Sequence, residues 1–210
     1  MVAKRRKQVR SVVTREKLIG AALEEIHAVG LQAVTTKQIA HRAEVSRGAL
    51  LHHFSTREEI VQAAMEDFLN EMTERLRSKT AELRSASISS DAIIDFLWPI
   101  FSGRFLHLSL ELVVSARTDA PFRDQMIPIV QKFHHAMDEI WDEFCAAESR
   151  TSAEIRMILN LTICLLRGMG VQTVLRNDRD YYAQMIEAWK ALLPNIVNGS
   201  VGGIIFSRKS

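Results

Sequence analysis

The chain has 210 residues, 47% hydrophobic and 25% charged, with 27 Lys/Arg against 25 Asp/Glu. That balance fits a globular chain of one small and one larger domain, and excludes a disordered or fibrous one. The charge is uneven: residues 1–60 carry 11 Lys/Arg against 6 Asp/Glu, and the remainder 16 against 19, so a basic N-terminal third precedes a mildly acidic body, as in a nucleic-acid-binding segment joined to a regulatory domain. No apolar run reaches the roughly 18 residues of a membrane span, so no membrane partner is expected. The two isolated cysteines, Cys145 and Cys164, read as buried reduced thiols of a cytoplasmic protein, not as metal ligands. With only 9 Gly and 4 Pro and no sustained strand alternation, the pattern predicts an all-α chain of about nine helices.

Residues 1–13 form a basic arm, with Lys4, Arg5, Arg6, Lys7 and Arg10 and none of the apolar core of a signal peptide. It reads either as a solubilising tail or as an arm that neutralises phosphates or enters a minor groove. A first helix is expected over 14–29, on the stripe Leu18, Ala22 and Ile26 widened by Ile19 and Leu23. Gly30 follows as its stop.

Residues 35–54 spell two short helices around a three-residue joint. Thr35 caps the first, with Gln38 three residues on, as a capping box requires. Ile39, Ala40 and Ala43 share a face. Ser46 caps the second helix, with Val45 before it as a hydrophobic staple. Leu50 and Phe54 lie four apart and point inward, which turns Arg47, Gly48, Leu51 and His52 outward. This is the layout of a helix-turn-helix, whose second helix enters the major groove. Arg47, in the first turn of that helix, suits bidentate pairing with a guanine edge, worth about 1–3 kcal/mol of discrimination. Gly48 leaves room for close approach. Ser46, His53 and the Thr35 and Thr36 hydroxyls suit phosphate contacts, which set register. The plain alternative is an ordinary helical hairpin with a solvated face.

The combination Thr36, Ile39-Ala40, Ala43, Val45-Ser46, Gly48, Leu50, His53-Phe54 and Arg57 resembles the DNA-binding domain of the tetracycline-repressor (TetR) family of bacterial transcription regulators. Two positions depart from the family pattern. Glu44 stands where Gly is usual in the turn; a left-handed conformation there costs a non-Gly residue on the order of 1–2 kcal/mol. Leu51 stands where Tyr is usual and offers a thymine methyl an apolar contact instead. The resemblance implies double-stranded DNA as the partner, a pseudo-palindromic operator, and contacts from Thr35, Thr36, Lys37, Gln38, Ser46, Arg47, Gly48, Leu51, His52, His53 and Arg57.

The fourth helix is expected to open with Ser55 as cap and Glu58 closing a second capping box, and to run to about Leu83 as the lever between head and body. Arg57 and the amides around Thr56 form an anion site. Ser85–Ser90 reads as a joint. Further helices are expected over 91–101, with Pro99 bending its end, over 105–117, from Pro121 to about 147 with a kink at Pro128, over about 153–176 with Ser152 as cap, and over about 180–193, ended by Pro194. Gly168 and Gly170 permit close approach of the eighth helix to a neighbour. The domains are therefore a 1–13 arm, a 14–55 helix-turn-helix domain, a 56–194 helical bundle for effector binding and dimerisation, and a 195–210 tail, mobile or strapped to the body.

The resemblance places an effector region on helices five to seven, and a homodimer interface on helices eight and nine. The candidate lining is Trp98, Phe101, Phe105, Leu110, Val114, Phe122, Met126, Phe133, Met137 and Trp141, with the polar residues Arg104, His107, Glu111, His134 and Arg167 among the apolar faces. The same stripe also reads as plain core, and Glu111 with Arg104 or Arg167 as a structural ion pair. The apolar bias points to a lipophilic or aromatic effector. The pairs His52-His53 and His134-His135 are not metal sites, because adjacent helical side chains diverge by about 100°. No cofactor motif or catalytic signature is present. The leading expectation is a homodimeric repressor released from its operator by a small molecule, and not an enzyme. Two others stay open: a DNA-binding regulator without an effector, controlled by a protein partner, and a helical small-molecule module or enzyme with a vestigial hairpin.

Overall fold

The computed structural model describes residues 2–85, 90–145 and 152–197. Among them lie nine α-helices and no strand: α1 (Val2–Val29), α2 (Thr36–Arg42), α3 (Arg47–His53), α4 (Arg57–Ser85), α5 (Ser90–Phe101), α6 (Arg104–Thr118), α7 (Ala120–Cys145), α8 (Ser152–Thr173) and α9 (Arg179–Val197). The chain divides into two compact units. One comprises residues up to Arg77 together with His107–Met137; the other comprises Ser78–Leu106 and the described residues from Asp138 onward. The helix-turn-helix head expected over 14–55 is thus part of a larger unit that takes in most of α6 and α7 as far as Met137. A three-helix domain of that size buries too little surface to stand well alone.

In the first unit, Leu18, Ile26, Ile39, Leu50, Ile60, Met65 and Leu108 have at most traces of exposure and form the core. The first helix begins at Val2 instead of Thr14. The basic segment contains no Gly or Pro, and Lys, Arg and Gln are good helix formers, so the helix continues through it. The cap of α4 lies one residue later than expected. Thr56 Oγ1 accepts the Glu59 amide at 3.1 Å, and the Glu59 carboxylate takes the Ser55 N–H at 2.6 Å. Thr56 and Glu59 therefore do the work assigned to Ser55 and Glu58.

In the second unit, Ile94, Leu97, Leu106, Ile140, Leu166, Met169 and Tyr182 are buried. Helix α8 lies directly against the end of α5. A Cβ on Gly170 would sit 1.7 Å from the Phe101 carbonyl oxygen and 2.9 Å from Leu106 Cδ2, so only glycine fits. Gly168 has open space around it and plays no such part. Lys190 on α9 is 2.7 Å from both Asp95 and Glu187, and these hydrogen bonds, Asp95 first, raise its pKa. Trp189 Nε1 donates to Thr162 Oγ1 at 3.3 Å. Pro194 does not end α9, which runs on to Val197; so close to a helix end, proline removes few backbone bonds.

Cys164 is exposed, contrary to the expected burial, and the Cys145 side chain and residues 198–210 of the tail lie outside the described residues. Among the described residues, no single helix is long and apolar enough to cross a membrane.

Candidate nucleic-acid interface and effector region

The α2–α3 hairpin is built by local polar bonds at both helix starts. Thr35 accepts the Gln38 amide at 3.3 Å, and the Gln38 carboxamide oxygen accepts the Thr35 N–H at 2.9 Å and hydroxyl at 2.6 Å. Ser46 Oγ accepts the Ala49 amide at 3.1 Å. In the joint, Glu44 has φ = 57°, the left-handed conformation that its departure from glycine made costly. The Val45 amide closes onto the Ala40 carbonyl at 3.0 Å. Beneath the hairpin, Ile39, Leu50 and Phe54 are buried. Arg42 Nε bonds Glu25 at 2.6 Å and ties α2 to α1, and the Arg15 guanidinium lies 5.2 Å from the centre of the Phe54 ring.

Several residues assigned to DNA are thereby engaged within the fold. Thr35, Gln38 and Ser46 serve as caps. Arg57 is half-buried; its guanidinium donates to the Val34 carbonyl at 2.8 Å and to the Leu31 carbonyl. It holds the loop between α1 and α2 rather than an open anion site. The residues that the fold leaves uncommitted are different ones. Lys37, Arg47, Gly48, Leu51 and His52 are exposed, while Thr36 and His53 are half-buried. Arg47 has no ion pair among the described residues. At Gly48 a Cβ would meet only Ser46 Oγ at 3.9 Å, so nothing in the fold requires glycine there.

Comparison with known proteins agrees with this geometry. The family model of bacterial regulatory proteins of the tetR family matches residues 18–64, which contain the whole hairpin with parts of α1 and α4. The HTH-type transcriptional regulator CymR of Pseudomonas putida is 27% identical over 186 residues, 88% of this chain and 92% of that one. In the solved structure of a TetR-family regulator from Mesorhizobium loti the same fold covers 90% of this chain and 97% of that one, with a TM-score of 0.71 at 13% identity. The multidrug binding protein EbrR, solved in complex with proflavin, shares the fold over 87% of this chain and 99% of its own, with a TM-score of 0.58 at 19% identity. Residues 18–64 match the DNA-binding domain of the TetR family, and the chain shares the fold of a TetR-family regulator over 90% of its length. It is a DNA-binding transcriptional regulator with a TetR-like fold.

The effector candidates on α5–α7 are divided between the two units, with Trp98, Phe101, Arg104 and Phe105 in the second and those from His107 to Met137 in the first. Phe101, Phe105, Phe122 and Met126 are buried in the cores of their units. Leu110, Phe133 and Met137 are half-buried, Val114 is exposed, and the Trp141 side chain lies outside the described residues. Arg104, His134 and Arg167 are exposed rather than buried in apolar surroundings, and the Arg167 guanidinium lies 5.6 Å from the Phe101 ring centre. Glu111 has a different partner from the arginines proposed for it. Its carboxylate accepts the Leu31 N–H at 2.8 Å, just past the end of α1. Alongside, Gln32 donates to Ser115 at 3.0 Å, and the His107 and His27 rings stack with centroids 5.7 Å apart. These contacts, all in the first unit, join α6 to the last turn of α1 and to the loop that precedes the hairpin.

Trp98 is placed differently. It lines a cavity of about 410 Å³ in the second unit, beside the turn between α8 and α9. The sequence pattern missed the rest of that lining, which includes Arg176, Asn177, Asp178, Arg179 and Tyr182. The available signal was Asn177-Asp178 ahead of an apolar-periodic run, which reads as a turn and helix cap and carries no hint of a hollow. Asp178 does cap α9, accepting the Tyr181 amide at 3.0 Å. That bond, and then the one from Arg176, hold its carboxyl below the usual pKa.

Proposed function

We propose that this regulator is a homodimeric, cytoplasmic repressor, not an enzyme, whose two α3 helices read a pseudo-palindromic operator and which a small organic effector releases. The observation that carries the reading is the outer face of α3. Arg47 is uncommitted at the start of the helix, and Gly48 beside it has no internal reason to be glycine. An open helix start with a guanidinium and no neighbouring Cβ suits base-edge contact in a major groove. Lys37, Leu51, His52, His53 and Thr36 flank that point; Thr35, Gln38, Ser46 and Arg57 position it.

Dimerisation is supported by exposed apolar residues on two adjacent helices, Met157, Leu161 and Val171 on α8 and Leu192 on α9. Exposed apolar side chains on neighbouring helices suit an interface, and a two-fold pairing of them would be self-complementary. The complex of EbrR with proflavin supports an organic effector for the shared fold. An effector shifts the population off DNA only as far as it prefers the released conformation.

Selection from random duplex DNA at near-physiological salt tests the reading. A palindromic motif is expected, and retention without a motif would leave only charge-driven binding. The Gly48→Ala variant sharpens it. Alanine favours the helix by about 1 kcal/mol, so the variant should melt higher and yet lose operator affinity. A variant that melts higher and keeps full affinity would remove Gly48 from the interface.

A further inference from the structure

The cavity beside the α8–α9 turn is made of parts that the core of a helical bundle does not need. One wall is aromatic: the rings of Trp98 and Tyr182 lie 5.9 Å apart at 34°. The rim is charged, with Arg176, Asp178 and Arg179 around it and the Asn177 carboxamide between them. Arg176 and Asp178 are paired at 2.9 Å and cancel. Arg179 has no ion pair among the described residues, so the lining carries one uncompensated positive charge. Tyr182 is only 2% exposed, and its hydroxyl has no hydrogen-bond partner among the protein groups. A buried donor without a partner would cost about 1–3 kcal/mol, so a hydroxyl that the protein itself does not satisfy calls for a guest, whether a water or a ligand.

We propose that this cavity is a binding site for a small organic monoanion, a carboxylate on a flat apolar body. The carboxylate would pair with the Arg179 guanidinium, whose forked donors match its two oxygens. The flat body would lie against Trp98 and Tyr182, where aromatic faces favour offset stacking. The volume of about 410 Å³ falls within the roughly 300–1,000 Å³ of small-molecule sites. A neutral ligand leaves Arg179 unanswered, and a dianion brings one charge more than the lining balances. The site goes beyond the repressor reading and depends on neither DNA binding nor dimerisation.

Calorimetric titration of the full chain with benzoate, 2-naphthoate and indole-3-acetate, each beside its neutral amide, tests the proposal. At least one carboxylate should bind saturably, about tenfold or more tighter than its amide, as the loss of one charge-assisted hydrogen bond implies. Arg179→Gln, a change at an exposed position, should bring the carboxylate down to the level of the amide. Tyr182→Phe should raise the melting temperature of the free protein, because it removes a buried unpaired hydroxyl, while leaving the carboxylate bound no more tightly than in the wild type. The proposal is overturned if none of the three carboxylates binds saturably up to millimolar concentration, if carboxylate and amide bind alike, or if Arg179→Gln leaves the affinity unchanged.

Discussion

The α2–α3 hairpin and the α5–α8–α9 region use glycine for opposite ends. Gly170 is forced: the chain of α8 presses so close to the Phe101 carbonyl that no side chain fits. Gly48 is free: its neighbourhood has room for a Cβ and the helix would gain from one. The first glycine is explained by the fold; for the second, the proposed approach of DNA supplies the reason. A residue that lowers stability without an internal reason is a marker of function, and this contrast separates packing from recognition more sharply than exposure does.

Breaking the packing side of the contrast has the largest expected effect. Gly170→Ala places a Cβ within 1.7 Å of a backbone oxygen. Overpacking of this kind costs about 3 kcal/mol or more, so thermal melting should drop steeply or the chain should fail to fold. A melting curve like that of the wild type would mean that α8 shifts away freely. Next is Arg57→Ala, which removes the donors that hold the Val34 and Leu31 carbonyls. A loss of about 2–3 kcal/mol in urea unfolding is expected, since hydrogen bonds to charged groups are the stronger ones. An unaltered unfolding midpoint with weaker DNA binding would return Arg57 to the phosphate-contact role suggested by its motif position.

Glu111→Ala removes the acceptor of the Leu31 amide. Chemical denaturation should show a loss of about 1–2 kcal/mol, and a neutral result would mean that water replaces the carboxylate. The smallest effect is expected at Glu44→Gly. Relief of the left-handed strain, on the order of 1–2 kcal/mol, is partly offset by the greater freedom of glycine in the unfolded chain. A net gain of about 0.5–1 kcal/mol should appear as a modest rise in melting temperature, with operator affinity unchanged. Lost affinity would show that the Glu44 side chain takes part in recognition.

The hairpin was legible because its rules are local. Thr35 with Gln38 and Ser46 before Arg47 are caps defined within three residues, and the structure forms both. The cap of α4 slipped by one residue because Ser55-Thr56 and Glu58-Glu59 offer two equivalent registers. Only the three-dimensional course of the loop selects Thr56 and Glu59. The start of α1 was misplaced for a related reason. A charged segment without an apolar stripe shows no helical periodicity, although its residues favour helix. The effector region was least legible, because a cavity depends on how helices distant in sequence meet. Helical spacing alone did not separate Phe101 and Phe105, which became core, from Trp98, which lines a hollow. Nor did it show that Glu111 would seek an amide 80 residues away.

That amide belongs to a residue held from both sides. Leu31 gives its N–H to Glu111 of α6 and its carbonyl to Arg57 of α4. Its proton is therefore guarded by a side chain and not by a helical ladder, and it exchanges with solvent by whatever motion parts that carboxylate from the loop. One amide thus serves as a built-in gauge. Its deuterium uptake, followed with and without operator or small molecule, reports how firmly α6 grips the approach to the α2–α3 hairpin, without a label or a mutation.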